Sequence, residues 1–529
     1  MENALATISA SRSSGDRAGV RGPSILFDDS EDRVELREQA PAYFADLNLD
    51  RVVDRIVGER EHYDLRPFFY TPLPSVDAVA YRHEVWRDLE DEQLFSRLKA
   101  FATQMHELHA DLSHHHHVEH DLQRHAWLVE TADIYCRAAA ELADDLAEQE
   151  LRSRGLRRFA EYLSDYVASE EFRALVAESK QVREALAGIR YRLNIKGDRV
   201  TVSRYQSQAD FSVEVLEIFE KFRQGEAGNF RDARRVGVGM NHIEAQILDL
   251  VAKLYPQVFA GLAGYYQRHR DFFDPVVASF DRELQFYISF LEFIDPLKGA
   301  GLSFCHPRVS ADSKELLARE SFDLALADVL VSEGSTIICN DFELRDAERI
   351  IVVSGPNQGG KTTFARMFGQ LHHLASLGCL VPGSSARLFL FDEIFTHFER
   401  EEELTRLSGK LEDDLLRIHE ILEKATSESV VIMNESLTST TLSDALLLSR
   451  AIMEQMIERG LLGVYVTFID ELATLGPATV SMVSTVEPDD PAKRTFKVLR
   501  RPADGRAYAL AIAEKHGLTA RRIRERIGR

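Results

Sequence analysis

Two short stretches hold residues whose types and spacing could do chemistry. The first is GPNQGGKTT, residues 355–363. Gly355, four intervening residues, Gly360, Lys361 and Thr362 fit the spacing G-x-x-x-x-G-K-[ST]. Such glycines let backbone N–H groups wrap phosphate oxygens at close range, and a helix starting at the loop points its positive end at the same charge. The Lys361 ammonium is placed to reach the β- and γ-phosphates, and the Thr362 hydroxyl to ligate Mg2+. The second stretch is VVIMNESLTSTTL, residues 430–442. Four apolar residues run into a polar turn at Asn434-Glu435, as at the end of a buried strand facing a nucleotide. A nucleotide hydrolase calls for Asp-Glu there. Asn434 offers a carbonyl to a magnesium-bound water but no negative charge, while Glu435 can still polarise an attacking water. The expected site is thus ATP on Gly355, Pro356, Asn357, Gln358, Gly359, Gly360, Lys361, Thr362 and Thr363, with Mg2+ on Thr362 and Asn434 and catalysis by Glu435.

The surrounding pattern says which elements must position these residues. RIIVVSGPN and STIICNDFEL are strand-like, the first feeding the glycine-rich turn; ARLFLFDEIF, SVVIMNES and LLGVYVTF are further short apolar runs between helical stretches. Apolar strands alternating with helices imply a mainly parallel sheet covered on both faces. Ahead of Pro296 the texture is helical: LFSRLKAFATQMHELHADL and HAWLVETADIYCRAAAELADDLAE place apolar residues at three- and four-residue steps. The interruption IRYRLNIKGDRVTVSRY, residues 189–205, alternates apolar and polar residues around Lys196-Gly197-Asp198, a hairpin signal. It suits a surface hairpin capping two helices or a clamp tip on a lever. The expected architecture is an all-α core and lever followed by a C-terminal α/β P-loop ATPase domain. Its divisions are a disordered lead over 1–30, helices over 31–300 with the hairpin near 189–205, and the ATPase domain with a C-terminal helical element over 301–529.

Composition bounds the partners. Against 64 Lys plus Arg stand 86 Asp plus Glu, a net charge of −22, so the chain is not uniformly coated for nucleic acid. The tail from Pro491 is a local exception, with twelve basic and three acidic residues. Cys136, Cys305, Cys339 and Cys379 form no C-x-x-C pair and read as reduced thiols. No apolar run reaches the roughly 18 residues of a membrane helix, and the N-terminal residues lack the apolar middle of a secretory signal. The expected compartment is the cytoplasm.

The stretch G-P-N-x-G-G-K-[ST]-T resembles the MutS family of DNA mismatch-repair ATPases. Further matches follow in order. DEIFTHF (392–398) resembles the family's I-F-T-R segment, and LSGKLED (407–413) its S-G-R stretch with Ser408, Gly409 and Lys410 in place. MNESLTSTTLSDALLLSRAI resembles its D-E-x-x-x-G-T-[ST] strand and helix, with Asp444 at the matching position. YVTFIDELATL is similar to A-T-H-Y-x-E-L, and GRAYALAIAEKHGLTARRIRERI to the C-terminal element. Upstream, TPLPSVDAVAYRHEVWRDL resembles the entry to the family's helical core, with Pro72, Leu73 and Arg82 matching. The resemblance spans about Asp46 to the end and is strong from Arg349 on.

It implies a dimer through the ATPase domains, with Ser408 and the following helix N-terminus completing the partner subunit's ATP site. The residue types equally allow Ser408 to be a helix N-cap. With the helical core starting near residue 46, neither the family's mismatch-reading domain nor its connector is expected. Three matched positions are altered. Asn434 replaces the magnesium-side Asp, Phe468 stands where A-T-H has its His, and Ser439-Thr440-Thr441 replace G-T-S. A fourth alignment puts Ile337 where the family has an aromatic that stacks on adenine. Two readings of turnover follow: a slow ATPase, or a binding-only switch. Two readings of the partner also follow. One is a nucleotide-gated dimeric clamp on DNA, duplex or branched, with Arg190, Arg192, Lys196, Arg199 and Arg204 as contacts. The other is an ATP-gated protein scaffold that binds no DNA. No L-S-G-G-Q run and no long coiled-coil heptads support a transporter-type or chromosome-tethering ATPase.

HADLSHHHHVEHDLQRH, residues 109–125, holds seven histidines, and His116, Glu119 and His120 fit H-x-x-E-H. Two histidines and a glutamate on one helix turn can bind zinc. No distal third ligand is identifiable, so the cluster at His114–His117 reads as a polar helix turn.

Overall fold

The computed structural model describes residues 22–28, 34–115, 120–196, 199–206, 240–399, 409–487, 490, 493–503 and 524, with backbone alone at 111 and 113–115. Ser408, His116–His117, the hairpin tip Gly197-Asp198 and nearly all of the C-terminal element lie outside them. The fold is helix-rich, with mixed sheets in its C-terminal part. It divides into two compact units, residues 1–25 with 88–284, and residues 26–87 with 285–529.

The first unit is built of the helices Glu92–His115, Asp121–Ala147, Arg154–Val167, Glu170–Ala187, His242–Leu254 and Pro256–His269. Ser153 and Ser169 cap two of them by accepting from Leu156 N–H and Phe172 N–H, and Asn241 with Glu244 forms a capping box on a third. The apolar stripes read from sequence meet inside: Leu98, Met105, Ala132, Tyr135, Ala139, Leu262 and Tyr265 are buried, and Phe159 stacks on Phe280 at 3.5 Å. Tyr191–Lys196 and Arg199–Arg204 pair antiparallel with Lys196 opposite Arg199. Nearly every residue of this pair is exposed, Ile195 by 69%. No single described helix is long and apolar enough to cross a membrane. Among the described residues, only the pair His242–Leu254 and Pro256–His269, bent by 107°, passes by length and composition.

The second unit centres on a six-stranded sheet. Its strands are β1 (Ile350–Ser354), β2 (Ile394–Phe398), β3 (Val430–Asn434), β4 (Leu462–Val466), β5 (Thr479–Val486) and β6 (Arg494–Arg500), in the order β2-β3-β4-β1-β5-β6. Every pairing is parallel except β5 with β6. β1, β3 and β4 are buried throughout, which is why they read as continuous apolar runs. Helices α1 (Lys361–Ser376), α2 (Lys410–Lys424) and α3 (Leu442–Glu458) connect them. A smaller mixed sheet joins Arg308–Ser310, Ser385–Phe389, Leu316–Ser321 and Asn340–Leu344.

Two sequence runs fold differently from their patterns. ARLFLFDEIF is cut into Ser385–Phe389 and β2, which belong to different sheets. Asp392 at the cut accepts from the Ser429 hydroxyl at 2.7 Å and from Thr426. STIICNDFEL is strand only over Asn340–Leu344. Residues 26–87 belong with the C-terminal residues rather than with the helices that follow them. Arg82, fully buried, donates to the carbonyls of Leu26 at 3.1 Å and Leu377 at 2.8 Å and lies over the rings of Phe27 and Phe286. Trp86 Nε1–H donates to Gly378 O at 2.7 Å.

α1 is buried along its length and carries two neutral histidines. Burial pushes His372 down to about 4 and His373 to about 3. His373 Nε2 donates to Phe69 O at 2.9 Å while Nδ1 accepts from Tyr43 O–H at 3.1 Å, the pattern of one neutral tautomer. A His whose folded pKa is depressed contributes stability fully present above its unfolded value near 6.5 and lost as pH falls below it. Each should therefore cost about 1.4 kcal/mol at one pH unit below that value. Urea denaturation at pH 7.5 and 5.5 checks this; a second unit equally stable at both would contradict it. Gly463 in β4 tests the sheet separately. A Cβ there would lie 2.1 Å from the Val431 carbonyl oxygen, which is backbone and cannot step aside. Gly463→Ala should destabilise by about 2–3 kcal/mol in the same assay.

Candidate nucleotide site

The site lies within the second unit, at the carboxyl ends of β1, β3 and β4, where open parallel sheets bind ligands. β1 runs into Gly355–Gly360, which closes on the first residue of α1. Gly355 at φ +117° and Gly360 at φ +93° need glycine, and Gln358 adopts φ +58°. A Cβ on Gly355 would lie 2.7 Å from Ser484 O, and one on Gly359 2.2 Å from Ser484 Oγ. β5 therefore walls the loop, and the Ser484 hydroxyl donates to Gly359 O at 2.6 Å. From β6, Arg494 Nε–H donates to Asn357 O at 3.1 Å. Neither Ser484 nor Arg494 is marked by any motif; only the alternation in TVSMVSTV and RTFKVLR signals their strands.

Lys361 is the centre of the arrangement. It is buried, and its Nζ donates to Gly355 O at 3.2 Å, Pro356 O at 3.4 Å and Asn357 Oδ1 at 3.2 Å, with Glu435 Oε1 also at 3.2 Å. The cation is thus ringed by the loop on one side and one carboxylate on the other. Thr362 O–H donates to Asn434 Oδ1 at 3.0 Å, across the gap between α1 and the end of β3. Thr363 lines a separate cavity of about 360 Å³ with Asn48, Arg51, Asp323 and Arg366. There Asp323 is pushed up from the usual carboxylate range by burial.

Glu435 begins the turn after β3. Its φ is +49° and that of Leu437 +62°, both costly for residues with side chains. The Glu435 N–H donates to Val466 O at 3.0 Å, which keeps the turn against β4. Thr441 caps α3 by accepting from Asp444 N–H at 3.3 Å, and its own hydroxyl donates to Asp444 Oδ2 at 2.8 Å. Phe468 follows β4 and is 51% exposed. Ile337 is half-buried in an irregular stretch.

The structure brings together the loop 355–360, Lys361, Thr362, Asn434 and Glu435. The two neutral oxygens of Thr362 and Asn434 lie within one hydrogen bond, and their chemistry suits Mg2+ bound partly through water. Elsewhere among the described residues no group of three or more His, Cys, Asp or Glu could hold a metal ion. Of the basic residues near the hairpin, Arg204 is engaged by the Leu254 carbonyl, Nε donating at 3.1 Å.

Comparison with known proteins converges on one family. Residues 351–526 match the model of MutS domain V. An endonuclease MutS2 of Thermomicrobium roseum is 26% identical over 69% of this chain and 42% of its own length. An endonuclease MutS2 of Thermus thermophilus is 32% identical over 34% of this chain and 24% of its own. A DNA mismatch repair protein MutS of Halalkalibacterium halodurans is 29% identical over 34% and 21% respectively. The chain thus matches less than half the length of these relatives. The domain V match covers the phosphate-type loop and the Asn434-Glu435 turn, so it is the C-terminal part of the chain, residues 351–526, that matches the MutS family.

Proposed function

We propose that the second unit binds ATP with Mg2+ and hydrolyses it slowly, and that this cycle gates a dimeric clamp on DNA. The observation that carries the reading is the buried Lys361 ammonium between the 355–357 carbonyl-side groups and Glu435, with Thr362 and Asn434 paired beside it. Gly355, Pro356, Asn357, Gln358, Gly359 and Gly360 supply the cradle, Thr362 and Thr363 follow on the helix N-terminus, and Ser408 of a second copy completes the site. Phosphate oxygens exchange with Glu435 for the Lys361 ammonium, which frees Glu435 to orient water. When bound through Thr362 and Asn434, Mg2+ neutralises phosphate charge. Asn434 holds it with a dipole instead of a charge, and Phe468 gives no hydrogen bond, so turnover is slow.

Apolar side chains left exposed on this unit, Leu416, Leu442, Leu447 and Phe468, support association with a second copy. ATP would favour the closed pair by differential affinity. DNA as the enclosed partner is supported by the names of the relatives and by Arg190, Arg192, Lys196 and Arg199 on or beside the exposed strand pair; no mismatch reading is proposed. The alternative is an ATP-gated scaffold that binds protein and no DNA.

Three variants test the chemistry in the purified chain. Lys361→Ala should weaken ATP binding about 100-fold, the loss of a charge-assisted contact of roughly 3 kcal/mol. Glu435→Gln should abolish phosphate release while binding ATP several-fold more tightly, because about 1 kcal/mol of opposing carboxylate charge is removed. Asn434→Asp should speed release about tenfold. Equal release by wild type and Glu435→Gln would leave only a binding switch. Gel shifts over a salt series decide the partner. Phosphate contacts give a steep fall of affinity with salt, whereas no shift at low salt with or without ATP selects the scaffold.

A further inference from the structure

The turn that carries Glu435 is not supported by its backbone alone. Two of its non-glycine residues, Glu435 and Leu437, sit at positive φ, a conformation that persists only when surroundings enforce it. Two side-chain bridges do so. Ser436 Oγ, on a buried residue, is 2.9 Å from Nδ1 of His397, itself fully buried on β2. His397 Nε2 has Asp414 Oδ1 of α2 as its polar neighbour at 3.2 Å. Next to it, Thr438 O–H donates to Glu399 Oε1 at 3.1 Å, and the same oxygen accepts from Lys410 Nζ at 2.6 Å.

The spacing makes the two bridges parallel. Residues 397 and 399 share a face at the strand's end, and 410 and 414 are one turn apart on the helix. The electrostatics agree. The Lys410 bond, with Thr438, holds Glu399 below its ordinary range. Burial raises Asp414, but the His397 contact, with Arg417 and Lys410, brings it below its ordinary value.

We propose that His397 is a positioning residue: by holding Ser436 it orients the Glu435 carboxylate and ties that orientation to the position of α2. The inference rests on the hydrolysis reading above. In this role His397 acts through the turn, by way of Ser436. Displacement of α2 would pull on Asp414, turn the imidazole and release Ser436, so Glu435 would lose its aim without any change in the phosphate cradle.

Half-isosteres separate the two contacts of the ring. An asparagine amide falls near the Nδ1 position and keeps Ser436; a glutamine amide falls near Nε2 and keeps Asp414. Single-turnover phosphate release and equilibrium binding of a fluorescent ATP analogue are measured on the full chain. His397→Gln and Ser436→Ala are expected to slow release about tenfold with affinity within about threefold, and His397→Asn to recover most of the rate. Wild-type release rates in both His397→Gln and Ser436→Ala overturn the inference, as does a parallel fall of rate and affinity in both, which marks general damage to the loop. Wild-type release no faster than that of Glu435→Gln overturns the hydrolysis reading itself and this role with it. Faster wild-type release with unaffected His397 variants removes this role alone.

Discussion

One buried ammonium group organises the C-terminal unit. Lys361 Nζ has little access to water and must be compensated by protein, because an unpaired buried charge costs several kcal/mol. Its partners come from both sides of the gap between β1 and β3: the loop at 355–357 and the carboxylate of Glu435. The glycines at 355 and 360 allow the loop to curl tightly enough to bring those oxygens within reach. The parallel register of β1, β4 and β3 sets how far Glu435 lies from Lys361. A change in either element is felt as a charge left without a partner.

The same requirement explains why hydroxyls and amides crowd the carboxyl edge of the sheet. Ser484 fixes Gly359 from β5, Thr362 meets Asn434 from α1, and Ser436 meets His397 from β2. Each ties a loop to an element distant in sequence, over a floor of buried apolar strands. Among the described residues, α2 meets this edge through Asp414, 3.2 Å from His397 Nε2, and through the Lys410–Glu399 ion pair. That combination suits a site whose chemistry is to depend on the placement of one helix.

Polar anchoring also decides what the N-terminal segment does. Arg82 and Trp86 sit on a helix whose pattern resembles those that follow it, yet their donors end on Leu26, Leu377 and Gly378 carbonyls. Tyr43 and Phe69 O meet His373 in the buried helix behind the loop. The segment is thus structural support for the helix that carries Lys361 and Thr362.

The sequence by itself determined the loop, because its geometry is local: glycines at 355 and 360 and a lysine one residue on specify a turn whatever surrounds them. It determined the buried strands, since burial on both faces demands unbroken apolar runs, and it placed Asn434 and Glu435 at a strand's end. It marked the family through the order of its motifs. Tertiary structure alone decided that residues 26–87 join the C-terminal unit, because periodicity says which face of a helix is apolar but not what covers it. It alone recruited Ser484, Arg494 and Asp414, isolated residues that carry no spacing signal, and gave His397, which the motif stretch 392–398 contains without assigning it a role, its partners where β2 and α2 are folded against the loop. It also cut ARLFLFDEIF between two sheets, since a polar pair at Asp392-Glu393 is too short to announce that the chain changes partners.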